Sequence, residues 1–121
     1  MNKNHIIFTG ALFGFLGVAM GAFGAHALKG SLTPELMETY KTGILYQLLH
    51  AVVLVAVGFS GLSKFYKSAY FFIPGTILFS FSLMIYSITG ITFFAMFAPF
   101  GGASFMIGWI LILIYSLKKD S

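Results

Sequence analysis

The 121-residue chain contains no cysteine and no arginine, and its only acids are Glu35, Glu38 and Asp120. Without cysteine there is no disulfide framework, no thiolate metal site and no cysteine nucleophile. Seven scattered lysines offer no basic cluster to follow a phosphate backbone, so nucleic acid is excluded as a partner despite a pI of about 9.5. The one aspartate lies in the C-terminal tail, which leaves no Ser-His-Asp constellation. Charged residues are 8% of the chain, against about 25% in soluble domains. That share cannot cover a water-exposed surface, and a soluble enzyme and a disordered chain are excluded with it.

What is present is apolar. Hydrophobic residues make up 59% and aromatics 18%, with a mean hydropathy of +0.95. A membrane-spanning helix needs about 20 apolar residues. Four stretches meet or approach that length, at about residues 6–28, 43–62, 69–91 and 102–117. The expectation is an all-α polytopic protein, a compact bundle of four transmembrane helices in a single membrane domain. Thr33-Pro34-Glu35 reads as a helix start: an N-cap, a proline in the first turn and an acid beside the helix dipole. Helix two is therefore expected to begin outside the hydrocarbon with an amphipathic stretch over 34–42. Glu38 and Lys41, three apart on that stretch, are expected to pair weakly. Residues 92–101, broken by Pro99 and Gly101-Gly102, read as an interfacial or re-entrant connection.

Lysine placement orients the bundle. With four spans, one side carries Lys3, Lys64, Lys67, Lys118 and Lys119, and the other only Lys29 and Lys41. The positive-inside rule then puts both termini in the cytoplasm. Ala25-His26-Ala27 fits a signal-peptide cleavage pattern, but the preceding apolar stretch is too long for one, so the first span is expected to be retained.

Helix one carries Gly10, Gly14, Gly17, Gly21 and Gly24, spaced four, three, four and three apart on one face. In lipid, small residues that let backbones approach become the contact surface, so these five read as a packing seam. Thr76, Ser80, Ser87 and Gly90 form a matching stripe on helix three, and Ser104 and Gly108 a shorter one on helix four. Trp109 and the other aromatics read as packing and lipid contacts rather than a cofactor box.

Polar groups inside the spans are few. Gln47 and His50 lie three apart on helix two with Tyr46 adjacent, and His26 closes helix one. An ionisable side chain within a span is a functional candidate that should face the bundle interior. His26, Tyr46, Gln47 and His50 are expected to form one polar patch near the outer leaflet. It could be an interhelical hydrogen bond, a proton relay or a binding spot. No metal-ligand spacing is present, so neither a metal nor another cofactor is expected.

Gly21-Ala22-Phe23-Gly24-Ala25-His26-Ala27-Leu28, Tyr46-Gln47-Leu48-Leu49-His50-Ala51, and Pro99-Phe100-Gly101-Gly102 with Phe105 and Gly108-Trp109 occur in that order. In this the chain resembles the YgdD/YwdK family of small inner-membrane proteins of unknown function. The resemblance covers nearly the whole chain and implies a multi-pass inner-membrane protein with four helices. It implies no reaction, substrate or cofactor. Ile44-Leu45 stand where many members carry a basic residue before the Tyr-Gln pair.

Two functional readings follow. One is a non-enzymatic membrane component that acts through helix contacts, as a homo-oligomer or an accessory subunit. The other is a small channel or transporter for an ion or small solute, lined by His26, Gln47 and His50. Beyond the lipid bilayer, the expected partners are a second copy or another membrane protein. The lysine asymmetry predicts that cysteines introduced at Ser63 and Ser31 label from opposite faces, Ser63 from the cytoplasm. Labelling of both from outside overturns the orientation.

Overall fold

The computed structural model describes residues 1–120, and of Ala25 only the backbone. The helices are α1 (Lys3–Ala27), α2 (Pro34–Ser60), α3 (Ala69–Gly75), α4 (Ser82–Thr89), α5 (Thr92–Ala95) and α6 (Ala98–Ser116). A 3-10 turn at Ser63–Ser68 leads into α3, and a π-helical turn at Thr76–Phe81 joins α3 to α4. Residues 63–89 thus form one rod. Four rods are long and apolar enough to cross a membrane: Lys3–Gly24, Pro34–Ser60, Ser63–Thr89 and Thr92–Ser116. Among the described residues there is no strand. The protein is an all-α, four-span membrane bundle.

Local chemistry sets the ends. Asn2 caps α1 by accepting the His5 N–H at 2.9 Å. Thr33 caps α2 by accepting the Leu36 N–H at 3.2 Å, with Pro34 in the first turn. Gly61 and Gly90 end α2 and α4 in the left-handed region, at φ 69° and 71°, which glycine adopts without steric cost. The last long helix starts earlier than the sequence pattern suggests. α5 is a single turn, the chain turns at Met96 and Phe97, and α6 begins at Ala98. Pro99 falls in its first turn, where a missing N–H removes no helical bond, so the proline starts α6 instead of breaking it.

Pro74 sits inside α3. A proline there has no N–H and crowds the carbonyl four residues back. The carbonyl that loses its helical donor here is that of Tyr70, and hydroxyls bond to the two carbonyls that follow it. Thr76 donates to the Phe72 carbonyl at 2.9 Å, and Ser104 of α6 donates to the Phe71 carbonyl at 2.6 Å. The π-helical turn begins two residues after the proline.

That turn is held from two sides by backbone contact. A Cβ built on Gly43 of α2 would lie 2.8 Å from the Ser80 carbonyl oxygen, and one on Gly101 of α6 would run into the backbone of Leu78 and Phe79. No side chain fits at either position. Thr76, Ser80 and Ser87 of the expected stripe are buried on this rod, whereas Gly90 is its exposed cap. The stripe does not meet the glycines of α1. Thr76 and Ser87 bond back to their own helix, and the α1 glycines meet α2 instead.

Those five glycines are not equivalent. Gly10, Gly17 and Gly24 are buried, and a Cβ on them would crowd Leu54, Leu48 and Tyr40 at 2.9, 2.6 and 2.6 Å. Gly14 and Gly21 are half-buried, and a Cβ there would meet Ala51 and Ile44 at 3.8 and 3.5 Å, ordinary contact distances. Every seventh residue makes the close contact, as in a coiled-coil seam.

At the end of the bundle where α2 finishes, Lys64 is tied to Asp120 at 2.8 Å and to the Lys118 carbonyl at 2.8 Å. This is the only ion pair among the described residues, so the expected Glu38–Lys41 pair is not formed. The Lys64 side chain is 8% exposed and that of Asp120 75%, so the pair lies half in solvent.

The packing orders the glycines by the room beside them. Gly43→Ala and Gly101→Ala should each destabilise the fold by about 1–3 kcal/mol through overpacking. Gly14→Ala and Gly21→Ala should be neutral, or stabilising by up to about 1 kcal/mol from helix propensity. Thermal melts in detergent check this, and equal midpoints for all four variants would contradict the packing.

Candidate functional site

His50 lies on α2, 2% exposed, where α2, α3 and α6 meet. Its Nδ1 is 2.8 Å from the Tyr46 carbonyl oxygen one turn back. A carbonyl only accepts, so Nδ1 carries the proton and donates. The other nitrogen, Nε2, accepts the Trp109 indole N–H from α6 at 3.1 Å. Indole is a donor only, so the two bonds together select one neutral tautomer of the ring. Both nitrogens are engaged, and neither is left for a ligand or a metal.

The ring faces are engaged too. Phe105 of α6 stacks on the imidazole at 3.7 Å between centroids, with 5° between planes. Phe72 of α3 lies tilted beside it at 5.3 Å and edge-on to Trp109 at 5.4 Å. Tyr46 packs on Phe79 at 4.9 Å. Two glycines make room for these rings. A Cβ on Gly75 would lie 2.6 Å from Phe105, and one on Gly108 would lie 2.6 Å from Phe72. Aromatic rings from three spans thus close around one imidazole, with small residues cut out of the facing helices to admit them.

Gln47, fully buried, serves a different junction. Its Nε2 donates to the Phe13 carbonyl of α1 at 2.9 Å, reaching past Gly17. Inside the span, α1 and α2 are joined by this bond and by the Tyr40 hydroxyl, which donates to the Met20 carbonyl at 2.6 Å. Its Oε1, and Ser80 Oγ, are buried without a hydrogen-bond partner.

The expected patch divides. Gln47 and His50 are buried on neighbouring turns of α2 but face different partners, and Tyr46 is 40% exposed. His26 is exposed at the end of α1. The antiparallel register pairs Gly24 with Tyr40 and Gly14 with Ala51. It therefore puts the two imidazoles roughly twelve residues apart along the axis, or about 17 Å at 1.5 Å per residue. A similar depth is expected for the two from the sequence; they differ, because the short connection sets His26 opposite the outer turns of α2. Among the described residues no three His, Asp or Glu side chains come together.

Trp109 is the site residue that residue-by-residue reading passed over as packing. The signal for it was available: a lone donor-only indole in an apolar span needs an acceptor, and His50 is one of few. The geometry predicts that Trp109→Phe, which keeps a ring and removes the N–H, leaves Nε2 buried and unpaired. The expected cost is about 1–3 kcal/mol, read as a lowered melting point. A variant as stable as the parent would show that the hydrogen bond contributes nothing.

Comparison with known proteins places these features in company. A family model described as "Protein of unknown function (DUF423)" matches residues 20–102. The chain is 36% identical to the UPF0382 membrane protein YwdK of Bacillus subtilis, over 93% of this chain and 95% of that one. It is 33% identical to the UPF0382 inner membrane protein YgdD of Escherichia coli K12, over 98% and 93%. It is 36% identical to a UPF0382 membrane protein of Haemophilus influenzae, over 98% of both chains. No solved structure matches.

Proposed function

Because the chain belongs to the DUF423 family and is a multi-pass protein of the inner membrane, we propose that it is a non-enzymatic membrane component acting through helix contacts, as a homo-oligomer or as an accessory subunit of a membrane assembly. One observation carries the reading: three polar side chains within the spans bond to other helices of the same chain. Trp109 donates to His50, Gln47 to Phe13 and Ser104 to Phe71. Such bonds fix how helices meet and leave little with which to transform or pass a solute.

The first and last spans supply the surfaces for contact. Over an 18-residue stretch of each, 22% is buried, against 44% in the second. Phe8 and Phe15 of α1, and Phe100, Met106 and Leu113 of α6, are each at least 66% exposed. These faces are apolar and can accept a second copy or another span as readily as lipid. A conducting role for His50 finds no support in its geometry, since its ring nitrogens already serve Tyr46 and Trp109.

Native mass measurement in mild detergent, together with ion flux from proteoliposomes, tests the proposal. The expected result is a multiple of the 13.2 kDa chain mass, or a retained membrane partner, with flux no higher than from empty vesicles. Flux that His50→Gln abolishes in a folded protein would overturn it in favour of a channel, and an isolated monomer without partner would overturn the contact role.

A further inference from the structure

The outward side of the α1–α2 seam is a groove. One hollow of about 260 Å³ is lined by Gly21, Gly24, Tyr40, Lys41 and Ile44. A second of about 330 Å³ is lined by Gly14, Val18, Ala51 and Val52. Leu48, packed against Gly17, borders both, so the two hollows lie in succession along the seam on either side of it. All but one of the lining residues are uncharged, and the exception is Lys41 at the end nearest the α1–α2 connection.

We propose that this groove holds one acyl chain of an anionic phospholipid, with the phosphate of its headgroup on the Lys41 ammonium.

Three observations converge on that occupant. The length fits, because ten residues separate Lys41 from Ala51, about 15 Å at 1.5 Å per residue. That equals one leaflet of a hydrocarbon core about 30 Å thick. The charge fits, because Lys41 is exposed and has no carboxylate partner, and Glu38 one turn away does not pair with it. The neighbouring polar atom is already engaged, since the Tyr40 hydroxyl donates to the Met20 carbonyl at 2.6 Å. The floor fits as well. Gly14 and Gly21 line the two hollows, yet α2 would tolerate a Cβ on either. Glycine is unfavourable in a helix interior, and at these two positions the contact with α2 does not require it. The space they leave opens into the groove. A second copy of the chain seated here about an axis normal to the membrane would bring its own Lys41 to the same level, like charge against like. A phosphate brings the opposite charge.

The test is native mass spectrometry of the full chain in mild detergent, titrated with 1-palmitoyl-2-oleoyl phosphatidylglycerol. The parent should retain one lipid after excess is removed, and retain phosphatidylcholine less well. Lys41→Gln should lower the retained fraction at least fivefold, and Gly21→Leu, which fills the floor, should do the same. A Lys118→Gln, Lys119→Gln double variant should retain lipid like the parent. Lys41 is exposed, so its variant decides the matter even where Gly21→Leu fails to fold. Equal retention by Lys41→Gln and the parent overturns the proposal, as does loss confined to the tail-lysine variant. Dissociation of a dimer by Gly21→Leu with lipid retention unchanged also overturns it, by giving the groove to a second copy.

Discussion

Backbone contact at Gly43 and Gly101 sets the spacing of three of the four spans. Lipid gives apolar helices no hydrophobic reason to associate, so packing distance and interhelical hydrogen bonds must supply the drive. The π-helical turn at Thr76–Phe81 lies between these two glycines, touching backbone on both sides. With the third rod so placed, Phe72 and Phe79 come within reach of rings on α2 and α6. Ser104 comes within bonding distance of the Phe71 carbonyl, three residues before Pro74. The aromatic enclosure of His50 is thus a consequence of how closely the main chains approach, and the rings fill what the glycines leave.

Much of the architecture was legible in composition and spacing. Scarcity of charge, four apolar stretches and the Thr33-Pro34 cap indicated the spans and the early start of α2, because these depend on local chemistry alone. What depends on tertiary fit was not legible. Pro99 and Gly101-Gly102 read as breakers, yet a proline in a first turn begins a helix, and Gly101 is required by a main chain 22 residues earlier. The five α1 glycines were visible as a face, but which of them α2 crowds depends on how each opposing residue is placed: Leu54, Leu48 and Tyr40 demand glycine, and Ala51 and Ile44 do not.

The same distinction holds at the site. His50 and Gln47 stood out as polar groups in an apolar span, and both are buried. Their partners could not be read from helix two alone. Grouping His26 with them assumed that depth follows from distance to a helix end. The outer turns of α2, added beyond its apolar stretch, shift the register and separate the two imidazoles. The family match joins the chain to other membrane proteins of unknown activity, and the contacts within the bundle then carry the functional reading.

The bond between Trp109 and His50 spans 59 residues of sequence. A chain is made from its N-terminus, at about 5–20 residues per second. α1 and α2 can therefore meet, glycine to leucine and Gln47 to Phe13, while α6 has yet to be synthesised. Throughout that interval, at least about 3 s at the faster rate, one nitrogen of His50 has no indole to bond. The hairpin must wait in the membrane with an unanswered acceptor. Only the last helix to arrive completes it, which makes biogenesis of this bundle a two-stage process, early along its glycine seam and late around its histidine.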